Sequence, residues 1–367
     1  MKPNELIYGL ALSKIPGVGA KLGKQLIAYC GGVEGVFRES KRILLRVPNI
    51  GEQLAEEIKS ADPHALAEPD LQYCEQNNIK VTFCLDEDYP IRFKHIADGP
   101  LLIYSKGAFN PHHARTVSIV GTRKPSPYGQ QICEQLVKDL KPYNVQIISG
   151  LAYGIDALAH KTACKNDIVN LAIMGTGMDV IYPAAHKNLS KDIMAKGALI
   201  TEYPINMRTD WENFPRRNRL IAAMSDVVVV IQSAKKGGSL ITAEFGNQYF
   251  KDVFAYPGRI NDKASIGCND LIKQNKAHLM DSVNDIAYIM RWELEASSGQ
   301  DKQATLFVEL NDEEQIIVDL LKKNEQATLD WLHQEAKFTL SEMAALLLSL
   351  EFKGVVRPLP GKQFSLT

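Results

Sequence analysis

Cysteine is thinly spread through this chain of 367 residues. Cys30, Cys74, Cys84, Cys133, Cys164 and Cys268 lie far apart, no two within four residues. That spacing excludes zinc-knuckle and thioredoxin-type pairs, and the six read as reduced core residues of a cytoplasmic protein. The eight histidines form no ligand pattern, and the adjacent His112 and His113 read as a loop pair. Long apolar runs are missing too. The longest strongly apolar one, Val227 to Ile231, is far short of a membrane span. The opening MKPNELIYGLALSKIPG lacks a signal-peptide cleavage pattern. Neither sign of charge dominates: 42 Lys+Arg stand against 43 Asp+Glu. The whole molecule is therefore no polycation, and any anion-binding surface has to be local. The dinucleotide fingerprint G-x-G-x-x-G, a Walker A lysine, a G-x-S-x-G elbow and a Ser-His-Asp signature are all absent. No cofactor, no metal site and no catalytic residue is expected.

What is present is an ordinary soluble composition, 45% apolar and 23% charged, in a length that suggests two or three domains. Residues 1–64 read as a helical domain with two related turns. Ile15-Pro16-Gly17-Val18-Gly19 opens one helix, and Val47-Pro48-Asn49-Ile50-Gly51 opens another. The pattern is similar to a helix-hairpin-helix, whose turn amides can hold a phosphate; a plain packing hairpin is the alternative. Gly17 with Lys21 and Lys24 is the better phosphate candidate, since the second copy has Asn49 in place of its first glycine.

Residues 65–292 read as one extended domain. It opens on a helix near 65–77 and the strand IKVTFCL. The runs 116–121, 145–150, 168–175, 198–202, 226–232 and 252–258 are β-branched and apolar on both faces, as buried parallel strands are. Helical crossovers fit between them. The predicted fold class is α/β, a Rossmann-like doubly wound parallel sheet, whose ligands sit beyond the carboxyl ends of the strands. Residues 293–309 are small and polar and read as a linker. Residues 310–367 hold three helical patterns and a strand pair, which make a winged helix. Charge divides unevenly. Residues 115–260 carry 18 Lys+Arg against 12 Asp+Glu, and residues 301–367 carry 7 against 11. An anionic ligand therefore belongs on the centre. The acidic tail is a poor DNA reader and is expected to meet a protein partner.

Five segments, four of them glycine-rich, follow strands of the central domain. The first runs Gly121-Thr122-Arg123-Lys124-Pro125-Ser126, with Tyr128 and Gly129 beyond. A glycine leaving a strand permits close approach to a ligand, hydroxyls and helix amides donate, and Arg123 supplies a fork of charge. The second contains Ser149, Gly150, Gly154 and Asp156, the last well placed to cap a helix. The third contains Gly175, Gly177, Asp179 and Tyr182, with His186 and Lys187 beyond. The fourth is Phe214-Pro215-Arg216-Arg217-Asn218-Arg219, read as a dense anion site ahead of a helix, in which one or two arginines could instead pair with a carboxylate such as Glu202. An aromatic among arginines suits single-stranded nucleic acid, because bases stack while phosphates pair. The fifth runs Lys235-Lys236-Gly237-Gly238-Ser239 toward Glu244. Five such segments on one sheet edge point to an extended polyanion or a nucleotide.

The ordered runs SIVGTRKPSPYG, SGLAYGIDALAH, MGTGMDVIYPAAH, FPRRNRLIAAMSD, GGSLITAEFG and VFAYPGRI resemble the DNA-processing protein A family, over roughly residues 88–280. The resemblance implies a non-enzymatic protein of natural transformation. Such a protein binds incoming single-stranded DNA, protects it and loads the recombinase RecA, working as a homodimer of the Rossmann-like domain. By motif, the DNA groove would take Gly121, Arg123, Lys124, Ser126, Gly150, Gly154, Gly175, Gly177, Lys187, Phe214, Arg216, Arg217, Asn218, Arg219, Lys236, Gly238 and Ser239. Truncating Arg217 would then weaken binding to all sequences alike. Asn269, Leu271, Ile272 and Lys273 resemble the self-association region. More weakly, residues 237–244 resemble the loop of nucleotide phosphoribohydrolases, in which Glu244 would assist cleavage of an N-glycosidic bond. That is the rival expectation. A structural adaptor whose loops bind nothing is the third.

Overall fold

The computed structural model describes residues 3–294, 310–324, 327–336, 338–353, 355–359 and 363–366. From residue 295 onward the expected linker lies outside the described residues. The chain forms two compact units, residues 1–295 and 296–367.

The first unit begins with six helices: α1 (Pro3–Lys14), α2 (Ala20–Tyr29), α3 (Val33–Arg38), α4 (Lys41–Leu44), α5 (Glu52–Ser60) and α6 (Pro63–Gln76). The two turns expected from the repeat share one geometry. Gly17 has φ +82° and Asn49 has φ +67°, both left-handed, and Gly19 and Gly51 then cap α2 and α5 in extended conformation. Asparagine is the side chain that most readily replaces glycine there, so the second copy keeps the turn despite its substitution. Lys24 does not serve the Gly17 turn. It is half-buried, and burial lowers its pKa while Cys84 and Asp98 pull it up. Its amine lies beside Gly99.

The sheet has nine strands among the described residues: β1 (Lys80–Phe83), β2 (Leu102–Gly107), β3 (Thr116–Val120), β4 (Gln146–Ser149), β5 (Asn170–Ile173), β6 (Ala198–Thr201), β7 (Val227–Val230), β8 (Asp252–Ala255) and β9 (His278–Leu279). Their order is β1-β2-β6-β5-β4-β3-β7-β8-β9. The pairs β1-β2 and β2-β6 are antiparallel, and the other six are parallel. The remaining helices are α7 (Ile91–Lys94), α8 (Pro127–Asp139), α9 (Ile155–Lys165), α10 (Lys187–Lys196), α11 (Asn213–Met224), α12 (Ser239–Gln248), α13 (Ile266–Lys273) and α14 (Val283–Met290).

Every residue of β3, β4, β5 and β7 is buried, because helices cover both faces. On one face Val117, Ile119, Val227 and Val229 pack with Leu136 of α8, Ala159 of α9 and Ile286 of α14. On the other, Val120, Val228 and Val230 join a core that includes Leu220 of α11 and Ala243 of α12 and continues to Leu10, Leu26 and Ile58 of the first helices. The chain winds outward from β3 through β4, β5 and β6, then crosses back to β7, so the winding direction switches between β3 and β7. The strand ends there open a crevice.

The second unit holds β10 (Ala327–Thr328), β11 (Val356–Leu359), β12 (Gln363–Leu366) and helices α15 (Asp312–Lys323), α16 (Leu329–Ala336) and α17 (Leu340–Phe352). Its sheet order is β10-β12-β11, the winged-helix arrangement, with one short strand more than the sequence suggested. Capping boxes start α15, from Asn311 and Glu314, and α17, from Thr339 and Glu342.

Candidate nucleic-acid interface

A cavity of about 330 Å³ opens at the crevice. Four of the five segments line it. The first contributes Gly121, Thr122 and Arg123; the second Ala152 and Asp156; the fourth Phe214, Pro215, Arg217 and Asn218; the fifth Gly237, Gly238, Ser239 and Thr242. The third segment stands behind Phe214 instead, with Gly175 buried against its ring.

The first loop is held by a residue that no motif singled out. The Gln232 carbonyl accepts from Thr122 N–H at 2.7 Å, its side-chain oxygen from Ser126 N–H at 3.0 Å, and its amide donates to Ser126 Oγ at 3.0 Å. Ser126 Oγ also accepts from Gly129 N–H and caps α8, with Pro127 at the first helical position. Its hydroxyl is thus engaged within the protein. Arg123 and Lys124 are both exposed, and Arg123 lines the cavity.

The second loop departs from expectation. Asp156 does not cap α9; Gly154, at φ +78°, stands at the cap and Asp156 lies inside the first turn. Its Oδ2 accepts from Gly150 N–H at 3.0 Å. His186, from beyond the third segment, donates from its buried ring to the Leu151 carbonyl at 2.8 Å and so braces this loop. Gly150, Gly175 and Gly177 are all buried. A Cβ at Gly150 would lie 2.6 Å from Arg217 Nη2, and one at Gly177 would lie 2.5 Å from the Pro204 carbonyl. The close approach these glycines permit is that of the protein to itself. At Gly238, by contrast, an added Cβ would meet nothing within 4 Å, so this glycine does face open space.

The fourth segment is itself helix: α11 begins at Asn213, one residue before Phe214. Successive residues therefore turn by about 100°, and the three arginines part company. Arg217 points down. It is 3% exposed, and it donates to the carbonyls of Gly150, at 2.8 Å, and Ile173. Burial lowers its pKa to about 10, with Asp156 raising it and nearby Arg123 lowering it further. Arg219 turns away from the cavity to pair with Glu202 and donate to the Asp98 carbonyl at 2.7 Å. Arg216 is exposed, pairs with Glu212 at 2.7 Å and lines a separate cavity that includes Gly17 and Gly19. One shared arginine cluster is not what the fold builds. Asn218 donates to the Gly238 carbonyl at 3.3 Å and ties α11 to the fifth segment, where Ser239 Oγ donates to Ser233 Oγ.

Lys236 lines a shallower groove beside the cavity, together with Glu244. Glu244 is half-exposed, lies 3.5 Å from Lys276 and contributes nothing to the cavity. The hydrolase expectation needs that carboxylate inside it. Lys187 is exposed at the start of α10, outside the cavity lining. In the self-association region, Asn269 exchanges two hydrogen bonds with Gly258, at 3.0 Å each, and Leu271 is buried. Ile272 and Lys273 remain at the surface, near Ile260 and Leu279.

The site is therefore an anion-receptive floor (Arg217 with Arg123 above it), donors from the α12 start and an aromatic wall, Phe214. The family model for DNA recombination-mediator protein A matches residues 80–291, and that for the DprA winged helix domain matches residues 302–362. Protein Smf of Synechocystis is 32% identical over 290 residues, 78% of this chain and 73% of its own. The crystal structure of DNA processing protein A from Streptococcus pneumoniae superimposes with a TM-score of 0.65 at 31% identity, covering 78% of this chain and 97% of that one. DNA processing protein A of Helicobacter pylori, described by its single-stranded DNA binding mode, gives 0.53 at 27% identity, covering 59% and 97%. Sheet, strand-end cavity, winged helix and both family models agree, and the chain belongs to the DNA recombination-mediator protein A (DprA) family.

Proposed function

We propose that this protein binds single-stranded DNA across the strand-end cavity, protects it during natural transformation and loads the RecA recombinase onto it, without catalysing a reaction itself. The observation that carries the reading is Arg123: an exposed guanidinium at the mouth of a cavity whose floor is a second, buried arginine and whose wall is Phe214. Two like charges in proximity favour an anion between or above them, and an aromatic wall favours a base beside it. The single-stranded DNA binding of the Helicobacter pylori relative supports the same choice of ligand.

The contacts divide by position. Gly121, Arg123, Phe214, Arg217, Asn218, Gly238 and Ser239 form the groove. Lys124, Arg216 and Lys236 are exposed cations around it. Binding is expected to be independent of sequence and sensitive to salt. A homodimer would double the track and raise affinity through effective concentration. The β9 edge of the sheet, with Ile272 and Lys273 beside it, is the surface for it. The second unit, with its acidic balance, takes a protein partner rather than DNA.

Fluorescence anisotropy of labelled single- and double-stranded oligonucleotides across a salt titration tests the reading. Salt-sensitive binding with preference for the single strand is the expected result. No binding to either at low salt would overturn it. RecA filament assembly on single strands, with and without this protein, tests the loading step, and size-exclusion chromatography with light scattering tests the dimer.

A further inference from the structure

Phe214 is one of three aromatic rings in mutual contact. Its centroid lies 5.0 Å from that of Tyr182 and 5.9 Å from that of Trp211, and the latter two are 5.8 Å apart. Tyr182 comes from the third glycine-rich segment, Trp211 from the turn that leads into α11, and Phe214 from the first turn of α11. Phe214 alone lines the strand-end cavity. The other two extend the aromatic surface outward from it. Trp211 is 67% exposed. An indole that open gains little from burial, and it presents an apolar face to water that a flat partner could cover.

The ring planes add a constraint. Tyr182 and Trp211 are tilted from Phe214 by 47° and 46°, and they stand at 88° to each other. Tyr182 thus meets Trp211 edge to face, a favoured pairing that fixes the indole's orientation. Consecutive bases of a stacked single strand are parallel. Two neighbours therefore cannot lie flat on Phe214 and on Trp211 while remaining stacked on one another. A strand that uses both rings has to splay its bases.

We propose that Trp211, braced by Tyr182, is a second base-binding ring that holds the nucleotide next to the one on Phe214, and that the pair selects strands whose bases unstack readily. The inference rests on the single-stranded DNA reading above and names a determinant of strand choice within it. Thymine stacks weakly on itself and adenine strongly. Oligothymidine should therefore bind more tightly than oligoadenosine, with a preference set by stacking rather than by base-edge hydrogen bonds.

The full-length protein and the variants Trp211→Ala and Trp211→Phe would be titrated with labelled oligothymidine and oligoadenosine. Trp211→Ala is expected to weaken oligothymidine binding roughly fivefold or more, the low end for one stacked base. It should also narrow the thymine preference and leave the salt slope unchanged, since no charge is removed. Trp211→Phe is expected to recover most of the affinity. In the wild type, part of the tryptophan emission should be quenched on binding, and that part should vanish in Trp211→Ala, leaving Trp292 and Trp331. The loss of two ring contacts at an exposed position predicts only a small fall in melting temperature, and Trp211→Phe, which keeps a ring there, guards against a folding artefact. Wild-type affinity and quenching in Trp211→Ala would overturn the second ring while leaving DNA binding intact. An equal loss on both oligonucleotides would overturn the unstacking geometry. Failure of the wild type to bind either would overturn both readings.

Discussion

Arg217 donates from Nη1 to the Gly150 carbonyl at 2.8 Å, and Gly150 in turn has no side chain because that guanidinium fills the space beside it. The charge is enclosed, and Asp156, whose Oδ2 holds the Gly150 N–H, raises the Arg217 pKa against the effect of burial. An arginine that the motif marked for DNA is thus also a structural member of the cavity floor.

The consequence for mutagenesis is direct. Arg217→Ala leaves the buried Gly150 and Ile173 carbonyls without this donor, at about 1–3 kcal/mol for each one left unsatisfied, and removes the charge nearest Asp156. A marked fall in melting temperature is expected, with the loss of DNA binding following from it. Arg217→Lys should not rescue, because an ammonium cannot reproduce the forked donation. Thermal unfolding of the two variants beside the wild type measures this. Melting temperatures equal to the wild type would show that the floor does not depend on Arg217.

Arg123 gives the cleaner test of the interface. It is exposed and makes no ion pair with a described residue, so Arg123→Ala should leave stability unchanged. Single-strand affinity should drop for all sequences alike. The slope of log affinity against log salt should flatten by about 0.7, the value for one phosphate contact on a single strand. Anisotropy at four or more salt concentrations reads both.

The Arg219–Glu202 pair predicts a pH dependence. Glu202 is 15% exposed and Arg219 is 14% exposed. Burial raises the Glu202 pKa above the ordinary glutamate value of 4.5, and Arg219 holds it down. A carboxyl with a raised folded pKa binds its proton more tightly in the native state, so stability falls as pH rises through that window. Removing Arg219 raises the folded pKa further. The melting deficit of Arg219→Ala is therefore expected to be smaller at pH 5 than at pH 8. A deficit that is constant over that range would mean that Glu202 does not change its protonation there in response to Arg219.

Glu244 separates the mediator from the hydrolase. It sits outside the cavity and is paired with Lys276. Glu244→Gln should bind single-stranded DNA as the wild type does, and neither protein should release free base from a nucleoside monophosphate. Base release that disappears in the variant would reverse the assignment.

Much of this was legible in the residues. Six apolar, β-branched runs at crossover spacing pointed to the parallel sheet, because a strand buried on both faces cannot carry the alternation of a half-exposed one. Glycine at the strand ends marked the crevice, and even the Asn49 turn was readable as a repeat of Gly17. Directions in space were not readable. Whether Arg216, Arg217 and Arg219 converge depends on where α11 begins; the helical phase then sends one outward, one under Gly150 and one to Glu202. Whether a glycine makes room for a ligand or for the protein depends on what packs against it, as Gly150 and Gly238 illustrate in opposite ways. Nor does local sequence show that Tyr182 meets Trp211 and Phe214, since the loop after β5 and the start of α11 are brought together only by the order of strands in the sheet. Strand propensity and loop chemistry are written locally; the partner of each charge and ring is set by tertiary packing.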